Sequence, residues 1–331
     1  MSVLGFDIDA RVDRDLHRAQ VASLAARLRG NLSVRDPYSG CKLGHFETLA
    51  GGEQGTSDFA SLLRDAAETV ALEKFNAATP AHRLLAREVQ FRDFRASNVV
   101  PPPDLALLDL GERGELRAGT IDDTGETCVK VTKAALWRLT RRSVINDDSG
   151  SLASIAESAA QAAIDARETV FFSLLTSASG AGPTLADGVA YFATARGNLL
   201  SAAALNATSL AAAVGALRGM LSASGTPLSL GARFLLVPPA SETTARTLAR
   251  DLAVPGETPL GVIASGHLST GFYVASDPAQ RPGWVHGGVF RRPFIFESAR
   301  DFDSDGVQFR LLTDFGVGPA DPKAMVYTPA P

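Results

Sequence analysis

The chain has 331 residues, 45% of them hydrophobic, and its 32 basic and 36 acidic side chains leave a formal net charge of −4 at pH 7. This length and composition predict a globular protein of one large or two moderate domains, and the lack of a basic excess argues against tight, direct binding of nucleic acid. No apolar run approaches the ~20 residues that span a bilayer, and no basic region followed by an apolar stretch opens the chain, so membrane insertion and secretion are not expected. The cysteines, Cys41 and Cys128, are too few for a disulfide framework and predict two reduced thiols.

The first 56 residues predict an arm. Apolar residues recur at helical spacing among charged ones in residues 9–29, which predicts an amphipathic helix with a narrow apolar stripe. Glycines and an Asp36-Pro37 turn signal follow in residues 30–55, where we expect extended chain. The arm is therefore expected to lie on another surface.

A second helix and a strand come next. Ser57 or Asp58 can cap a helix that runs to about Phe75. Residues 89–95 alternate apolar and polar side chains, which predicts a half-buried strand, and the prolines at 101–103 prevent its regular continuation. These elements begin a domain that mixes helix and sheet.

Residues 111–127 form a highly charged segment with almost nothing to bury, ahead of a predicted strand at 128–132. Ordering so long a segment costs backbone entropy that local contacts cannot recover, whereas a partner surface could supply that recovery. We therefore expect its charged side chains to form ion pairs with an adjacent subunit. The candidates for these intersubunit contacts are Glu112, Arg113, Glu115, Arg117, Asp122 and Asp123.

The strongest helical pattern of the chain covers residues 151–178. Its apolar residues follow three- and four-residue steps, and Gly180 with the glycine and proline after it ends the helix. At 1.5 Å per residue the helix would be roughly 40 Å long, and the alanines in its middle allow close packing. Asp147 and Asp148 precede it and are interpreted as helix caps rather than as an acid/base pair.

The remainder alternates helices and strands, which predicts a small α/β module with a mixed sheet and then a strand-rich tail. In the module, helices are expected at residues 209–221 and 241–252, and strands at 233–239, 260–264 and 272–276. The tail has strand patterns at residues 294–298 and 307–313, and we expect it to return to the first domain.

The sequence contains no recognisable catalytic or metal-binding motif. Cys41 and His45 could be half of a zinc site, but no second Cys/His pair has the required spacing. The signatures for phosphate loops, dinucleotide binding, acyl transfer and zinc hydrolysis are absent. Residues 301–306 match the opening of a calcium loop, yet Leu312 stands where that loop needs a bidentate Glu, so a tight turn between two strands is the better interpretation. We assign no catalytic, cofactor-binding or metal residue and expect no cofactor.

Residues 139–152, Leu-Thr-Arg-Arg-Ser-Val-Ile-Asn-Asp-Asp-Ser-Gly-Ser-Leu, stand ahead of the long helix and resemble the major head subunit of Mu-like phages. The resemblance covers residues 139–318 well and 57–138 more loosely, and does not extend to residues 1–56. Six further blocks resemble family blocks in the same order: residues 188–192, 197–199, 227–230, 233–239, 302–309 and 314–318.

The resemblance implies an α+β protein with the tailed-phage major capsid fold. That fold has an N-terminal arm, an extended loop, a peripheral domain with a long spine helix, and an axial domain. The implied limits are 1–56 for the arm, 57–103 for the first part of the peripheral domain, 104–132 for the extended loop hairpin, 133–183 for the peripheral domain with the spine helix at 151–178, 184–292 for the axial domain, and 293–331 for the return strands of the peripheral domain.

The resemblance also implies a function that is structural and not enzymatic. The chain would be the major capsid subunit, self-assembling into pentamers and hexamers of an icosahedral head that encloses double-stranded DNA. Its partners would be other copies of itself, portal and scaffold or decoration proteins, and packaged DNA by weak, non-specific proximity, with no membrane involved. It would belong to the virion and be assembled in the cytoplasm of the bacterial host.

Two alternatives stay open at this point. An encapsulin-like shell uses a similar architecture to enclose a protein cargo. From another class, the α/β module could belong to a hydrolase whose active site carries no recognisable motif.

Overall fold

The computed structural model divides the chain into two compact units, which are described separately. The first unit comprises residues 1–78, 132–165 and 292–313, and the second comprises residues 79–131, 166–291 and 314–331. Within these units the structure describes residues 56–101, 125–140, 151–222, 225–252, 258–289, 293–301 and 306–331.

The described residues form five α-helices and ten β-strands. The helices are α1 (Thr56–Ala77), α2 (Ala81–Leu85), α3 (Ser151–Leu175), α4 (Ala207–Arg218) and α5 (Glu242–Asp251). The strands are β1 (Ala86–Glu88), β2 (Ser97–Val99), β3 (Glu126–Thr140), β4 (Ala232–Val237), β5 (Gly261–Ala264), β6 (Phe272–Ser276), β7 (Trp284–Gly288), β8 (Ile295–Asp301), β9 (Gly306–Pro319) and β10 (Met325–Thr328).

In the first unit, α1 and the N-terminal part of α3 share a core with β8 and β9. Ala156, Ala160 and Ala163 of α3 are buried, and their small side chains let neighbouring elements pack closely. Phe75 of α1 meets Phe294 edge to face, with ring centroids 5.8 Å apart. The alanine-rich middle of the long helix is therefore a packing surface.

Two paired strands, β8 and β9, flank the segment whose sequence matches the opening of a calcium loop. The two strands pair antiparallel, with Ile295 opposite Leu312 and Asp301 opposite Gly306. The expectation of strands on both sides of this segment, rather than the helices that flank a calcium loop, is therefore met; residues 302–305 themselves lie outside the described residues.

In the second unit, an aromatic core packs against a sheet with strand order β1-β7-β9-β3-β2. Trp284 of β7 is fully buried and stacks on Tyr191 at 4.9 Å between ring centroids, and Phe171 of α3 approaches it edge to face at 5.5 Å. Aromatic pairs in these geometries stabilise a core beyond the area that they bury.

The α/β module of the second unit has the mixed sheet that the sequence predicts. Its four strands follow the order β10-β6-β4-β5, with β4 and β5 parallel and the other pairs antiparallel. Helix α4 begins at a capping box, in which the Asn206 side chain accepts from the Ser209 backbone N–H at 2.8 Å. The last strand of the tail, β10, pairs with β6 and so completes this sheet.

The prediction of a strand over residues 89–95 is wrong. The strand β1 comes earlier, pairing parallel with β7, and only the Val89 and Phe91 backbone N–H groups continue the pairing by donating to His286 and Gly288 carbonyls at 2.8 and 3.0 Å. Beyond Phe91 the chain bends, because interactions of the Lys130 side chain hold residues 93–97 in a turn.

The long helix α3 ends at Leu175, three residues before the end predicted from the sequence. Ala178 and Ser179 have positive φ angles of 50° and 58°, which a right-handed helix cannot contain. Gly180 follows with φ 93°, and a Cβ there would lie 2.5 Å from the Tyr327 hydroxyl. Close packing of Tyr327 thus requires glycine at the point where the chain turns away.

Candidate functional site

The candidate functional site is the base of the charged segment, where the chain leaves and rejoins the sheet of the second unit. Strands β2 and β3 pair antiparallel, with Ser97 opposite Cys128 and Val99 opposite Glu126. The six predicted contact residues, Glu112 to Asp123, lie outside the described residues. Since Val99 and Glu126 are neighbours on the sheet, the chain leaves and rejoins the sheet at one place.

Tight packing anchors the start of β3, where the chain rejoins the sheet. A Cβ on Gly125 would lie 3.0 Å from the Val99 carbonyl oxygen, so only glycine fits beside β2 without a shift. Glu126 then accepts a hydrogen bond from the Ala186 backbone N–H at 2.9 Å. Cys128 is fully buried and packs with Phe91, and burial raises the pKa of its thiol to about 11. A thiol held neutral in this way is a packing residue and not a nucleophile.

Lys130 of β3 holds the residues that lead into β2, where the chain leaves the sheet. Its side chain is completely buried, and its ammonium group donates to the Ser97 hydroxyl at 2.6 Å and to the Arg95 carbonyl. The same nitrogen lies 3.5 Å from an Asp93 carboxylate oxygen and 4.9 Å from the centroid of the Phe91 ring. A buried ammonium is tolerated only when it is paired in this way, so Lys130 fixes the turn that leads into β2.

The outer face of this base carries apolar side chains that the second unit does not cover. Val129 of β3 is 64% exposed and Val100, just after β2, is 46% exposed. Among the strands that the structure describes, β2 is also the last in its sheet. Exposed apolar groups beside an edge strand are typical of surfaces that bind another protein chain.

In the first unit, β3 continues with side chains exposed along both faces. Thr132, Lys133 and Leu136 are all exposed, and Leu136 reaches 59%. Trp137 turns inward, where its ring lies 5.5 Å from that of Phe296 and 6.2 Å from that of Phe309. A strand exposed on two faces lacks the burial that would stabilise it within one subunit, which favours a partner.

The described residues hold no group of three or more His, Cys, Asp or Glu side chains that could bind a metal ion. The helices in the same part of the chain include none long and apolar enough to cross a membrane. The base of the charged segment itself offers anchored strand ends and exposed apolar side chains.

A comparison with protein families agrees with this geometry. The family model described as phage capsid protein matches residues 124–328, starting at the returning end of the loop and extending to β10. The chain belongs to the phage capsid protein family. A search of curated proteins finds no match.

Solved structures show the fold of this capsid protein. A structure from Microbacterium phage Oxtober96 matches it with a TM-score of 0.50 at 13% identity, covering 77% of this chain and 92% of that one. The crystal structure of a phage-related protein from Bordetella bronchiseptica matches with a TM-score of 0.50 at 7% identity, covering 78% and 95%. The α+β capsid fold expected from the sequence is thus confirmed.

Family membership settles the class of function. The capsid protein is a structural component of a virion and not an enzyme, so the hydrolase alternative is set aside. The encapsulin-like alternative is not favoured, because the matching family is that of phage capsids. The match is to phage capsid proteins in general, and the narrower likeness to Mu-like head subunits stays a resemblance.

Sequence reasoning missed Lys130. The pattern at residues 128–132 predicts a strand, and Lys130 shares the face of Cys128 in that strand. Had Cys128 been taken as buried, the lysine beside it would have been the signal for a buried, paired charge. Its partners come from residues 93–97, and sequence spacing does not reveal that contact.

Proposed function

We propose that the protein is the repeating subunit of an icosahedral phage head, assembling into pentamers and hexamers around double-stranded DNA. The observation that carries the proposal is the family match over residues 124–328. The exposed apolar base at β2 and β3 supports it, because a subunit of a shell needs surface that only another copy covers.

The domain limits of a capsid subunit are part of this proposal. The arm would be residues 1–56, the extended loop 104–132 and the axial domain 184–292. The peripheral domain would include residues 57–103 and 133–183, with α3 as its spine helix. Because β10 pairs with β6, residues 325–328 would join the axial domain, and the rest of 293–331 would be return strands.

The extended loop would reach over an adjacent subunit. Its candidate ion-pairing residues remain Glu112, Arg113, Glu115, Arg117, Asp122 and Asp123. An exposed ion pair contributes only ~0–1 kcal/mol, so the loop would act through many copies and through apolar burial along the arms. The pairing of β2 with β3 supports this role, because strands fixed at the base limit the directions in which the loop can extend.

Further partners follow from the place of a major subunit in a virion. Portal and scaffold or decoration proteins would contact the shell, and assembly would take place in the host cytoplasm. The net charge of −4 suits a shell that holds DNA by enclosure, since no basic excess is available to grip phosphates.

Size-exclusion chromatography with multi-angle light scattering of the purified full chain tests the proposal. We expect a population with the mass of capsomers or closed shells, many times the 34.7 kDa of one chain. A single monomeric peak across a wide range of protein concentration and ionic strength would contradict self-assembly.

A further inference from the structure

Three basic side chains meet in the interior of the second unit. His82 of α2 is fully buried, and His286 of β7 and Arg167 of α3 are 4% and 5% exposed. The two imidazole rings meet edge to face, with centroids 5.1 Å apart. Burying three groups that can each carry positive charge is costly unless the histidines stay neutral.

One carboxylate approaches His82, but it is already engaged by another donor. The carboxylate of Glu168 on α3 lies 4.0 Å from His82 Nδ1, at the limit of an ion pair, and accepts a 2.6 Å hydrogen bond from the Ala81 backbone N–H. Neither ring nitrogen of His82 has a hydrogen-bond partner among the described residues. The other charged groups that act on the cluster are Arg83 of α2 and Glu88 of β1.

Burial and the neighbouring positive charges keep both imidazoles neutral near pH 7. Burial, His286, Arg167 and Arg83 lower the pKa of His82 to about 3. Burial, Arg167 and Arg83 lower the pKa of His286 to about 4. Burial also lowers the pKa of Arg167, to about 10, so its guanidinium keeps its charge at neutral pH while lying 5.4 Å from the Phe315 ring.

The histidines join one segment of the chain to the sheet. Residues 79–91 contain α2 and β1, and β1 pairs parallel with β7 so that Glu88 stands opposite His286. The Val89 backbone N–H donates to the His286 carbonyl at 2.8 Å, and the His82 ring packs on the side chain of the same residue. The contact between His82 and His286 is therefore one of those that hold residues 79–91 on β7.

We propose that His82 and His286 form an acid-sensitive latch that keeps residues 79–91 docked on β7 while both rings are neutral and releases them when either is protonated beside Arg167. The latch is a property of the subunit itself and does not depend on the proposed shell. Its release would free the segment that leads into the Lys130 turn and β2.

The sign and size of the effect follow from linkage. Each docked histidine has a pKa below the ordinary value of about 6.5, so the docked form is fully favoured above pH 6.5 and loses stability as pH falls from there towards the docked pKa. One such histidine shifts the opening equilibrium about tenfold per pH unit in this window. Between pH 7 and pH 5 that is about 25-fold for one histidine and roughly 600-fold for two.

Amide hydrogen exchange of the full chain at pH 7 and pH 5, corrected for intrinsic rates, tests the latch. Protection of peptides within residues 79–91 should fall by about 25-fold to 600-fold, while β4 and β6 keep theirs. In a Trp137→Phe background, emission from Trp284, two residues before His286, should change over the same pH range. The double variant His82→Phe, His286→Phe keeps the ring contact but cannot be protonated, and should lose the pH response.

His267→Phe is the matched control, because His267 is exposed and stacks on Phe172 in the same unit. It should keep the wild-type pH response. An unchanged response in the double variant, or wild-type protection of residues 79–91 that is equal at pH 7 and pH 5, would overturn the latch. Simultaneous loss of protection in β4 and β6 would show global unfolding and would also overturn it. If the double variant does not fold, the wild-type exchange pattern still decides between these outcomes.

Discussion

At the scale of single residues, the buried charges of the second unit are the points where one substitution has the largest consequence. Lys130 and the ion pair of Arg281 with Asp321 are each enclosed by the subunit. Removing one partner leaves the other desolvated and uncompensated, which costs more than the pair itself contributes. Neither position stands out in the sequence, since both depend on contacts between residues far apart in the chain.

Lys130→Met keeps the length of the side chain and removes its ammonium. The Ser97 hydroxyl and the Arg95 carbonyl lose their buried donor, so the free energy of unfolding should fall by about 1–3 kcal/mol, and amides of residues 93–97 should exchange faster. Lys133→Met, at an exposed position of the same strand, is the control and should change neither. Urea denaturation together with hydrogen exchange measures both effects, and equal stability of the two variants would refute the assigned role of Lys130.

Asp321→Ala should destabilise the second unit by about 3–5 kcal/mol, because it removes the carboxylate that pairs with the buried Arg281 guanidinium. Asp187→Ala provides the comparison. Asp187 also binds an arginine, Arg196, at 2.7 Å, but its side chain is half exposed, so the expected loss is only about 0–1 kcal/mol. Urea midpoints that do not separate the two variants would count against a buried ion pair at Asp321.

At the scale of elements, the sequence predicted the helices and strands whose spacing of apolar residues is regular. The α/β module appears nearly as expected, with β6 at Phe272–Ser276 and α5 within one residue of the predicted limits. Elements decided by distant contacts were missed. The strand expected at residues 89–95 is interrupted by interactions with Lys130, and α3 ends early where Tyr327 packs against Gly180.

The buried alanines of α3 should not tolerate a larger side chain. Ala160 is fully buried in the first unit, so Ala160→Leu should overpack that core and lower the free energy of unfolding by about 1–3 kcal/mol. Ala162 is exposed on the same helix, and Ala162→Leu should stay within about 0.5 kcal/mol of the wild type. Thermal denaturation followed by circular dichroism would compare them, and a neutral Ala160→Leu variant would contradict close packing at this face.

At the scale of the whole molecule, the identity of the protein came from sequence blocks and a family match, while the anchoring of its loop came from the structure. The sequence contains none of the common enzyme motifs, but its composition and the spacing of its apolar residues could not tell a capsid subunit from another α+β protein. The base formed by β2 and β3 leaves Val129 and Val100 exposed, which is consistent with the proposed assembly.

The proposed loop contacts can be tested on assembled material. Replacing Glu112, Glu115, Arg113 and Arg117 with alanine should lower the yield and the dissociation temperature of particles while leaving the fold intact, because each lost ion pair recurs in every subunit. The matched control removes two glutamates and two arginines from exposed pairs elsewhere, Glu242 with Arg246 at 2.7 Å and Glu297 with Arg310 at 2.9 Å. Equal yields and dissociation temperatures for the two quadruple variants would mean that the charged loop does not hold neighbouring subunits.

The central claim is that many copies of this one chain build a shell. Negative-stain electron microscopy of the purified full-length protein tests it most directly. We predict closed, isometric particles or rings of five and six subunits of uniform size. A field of dispersed monomers, under conditions in which circular dichroism shows the chain to be folded, would contradict the account.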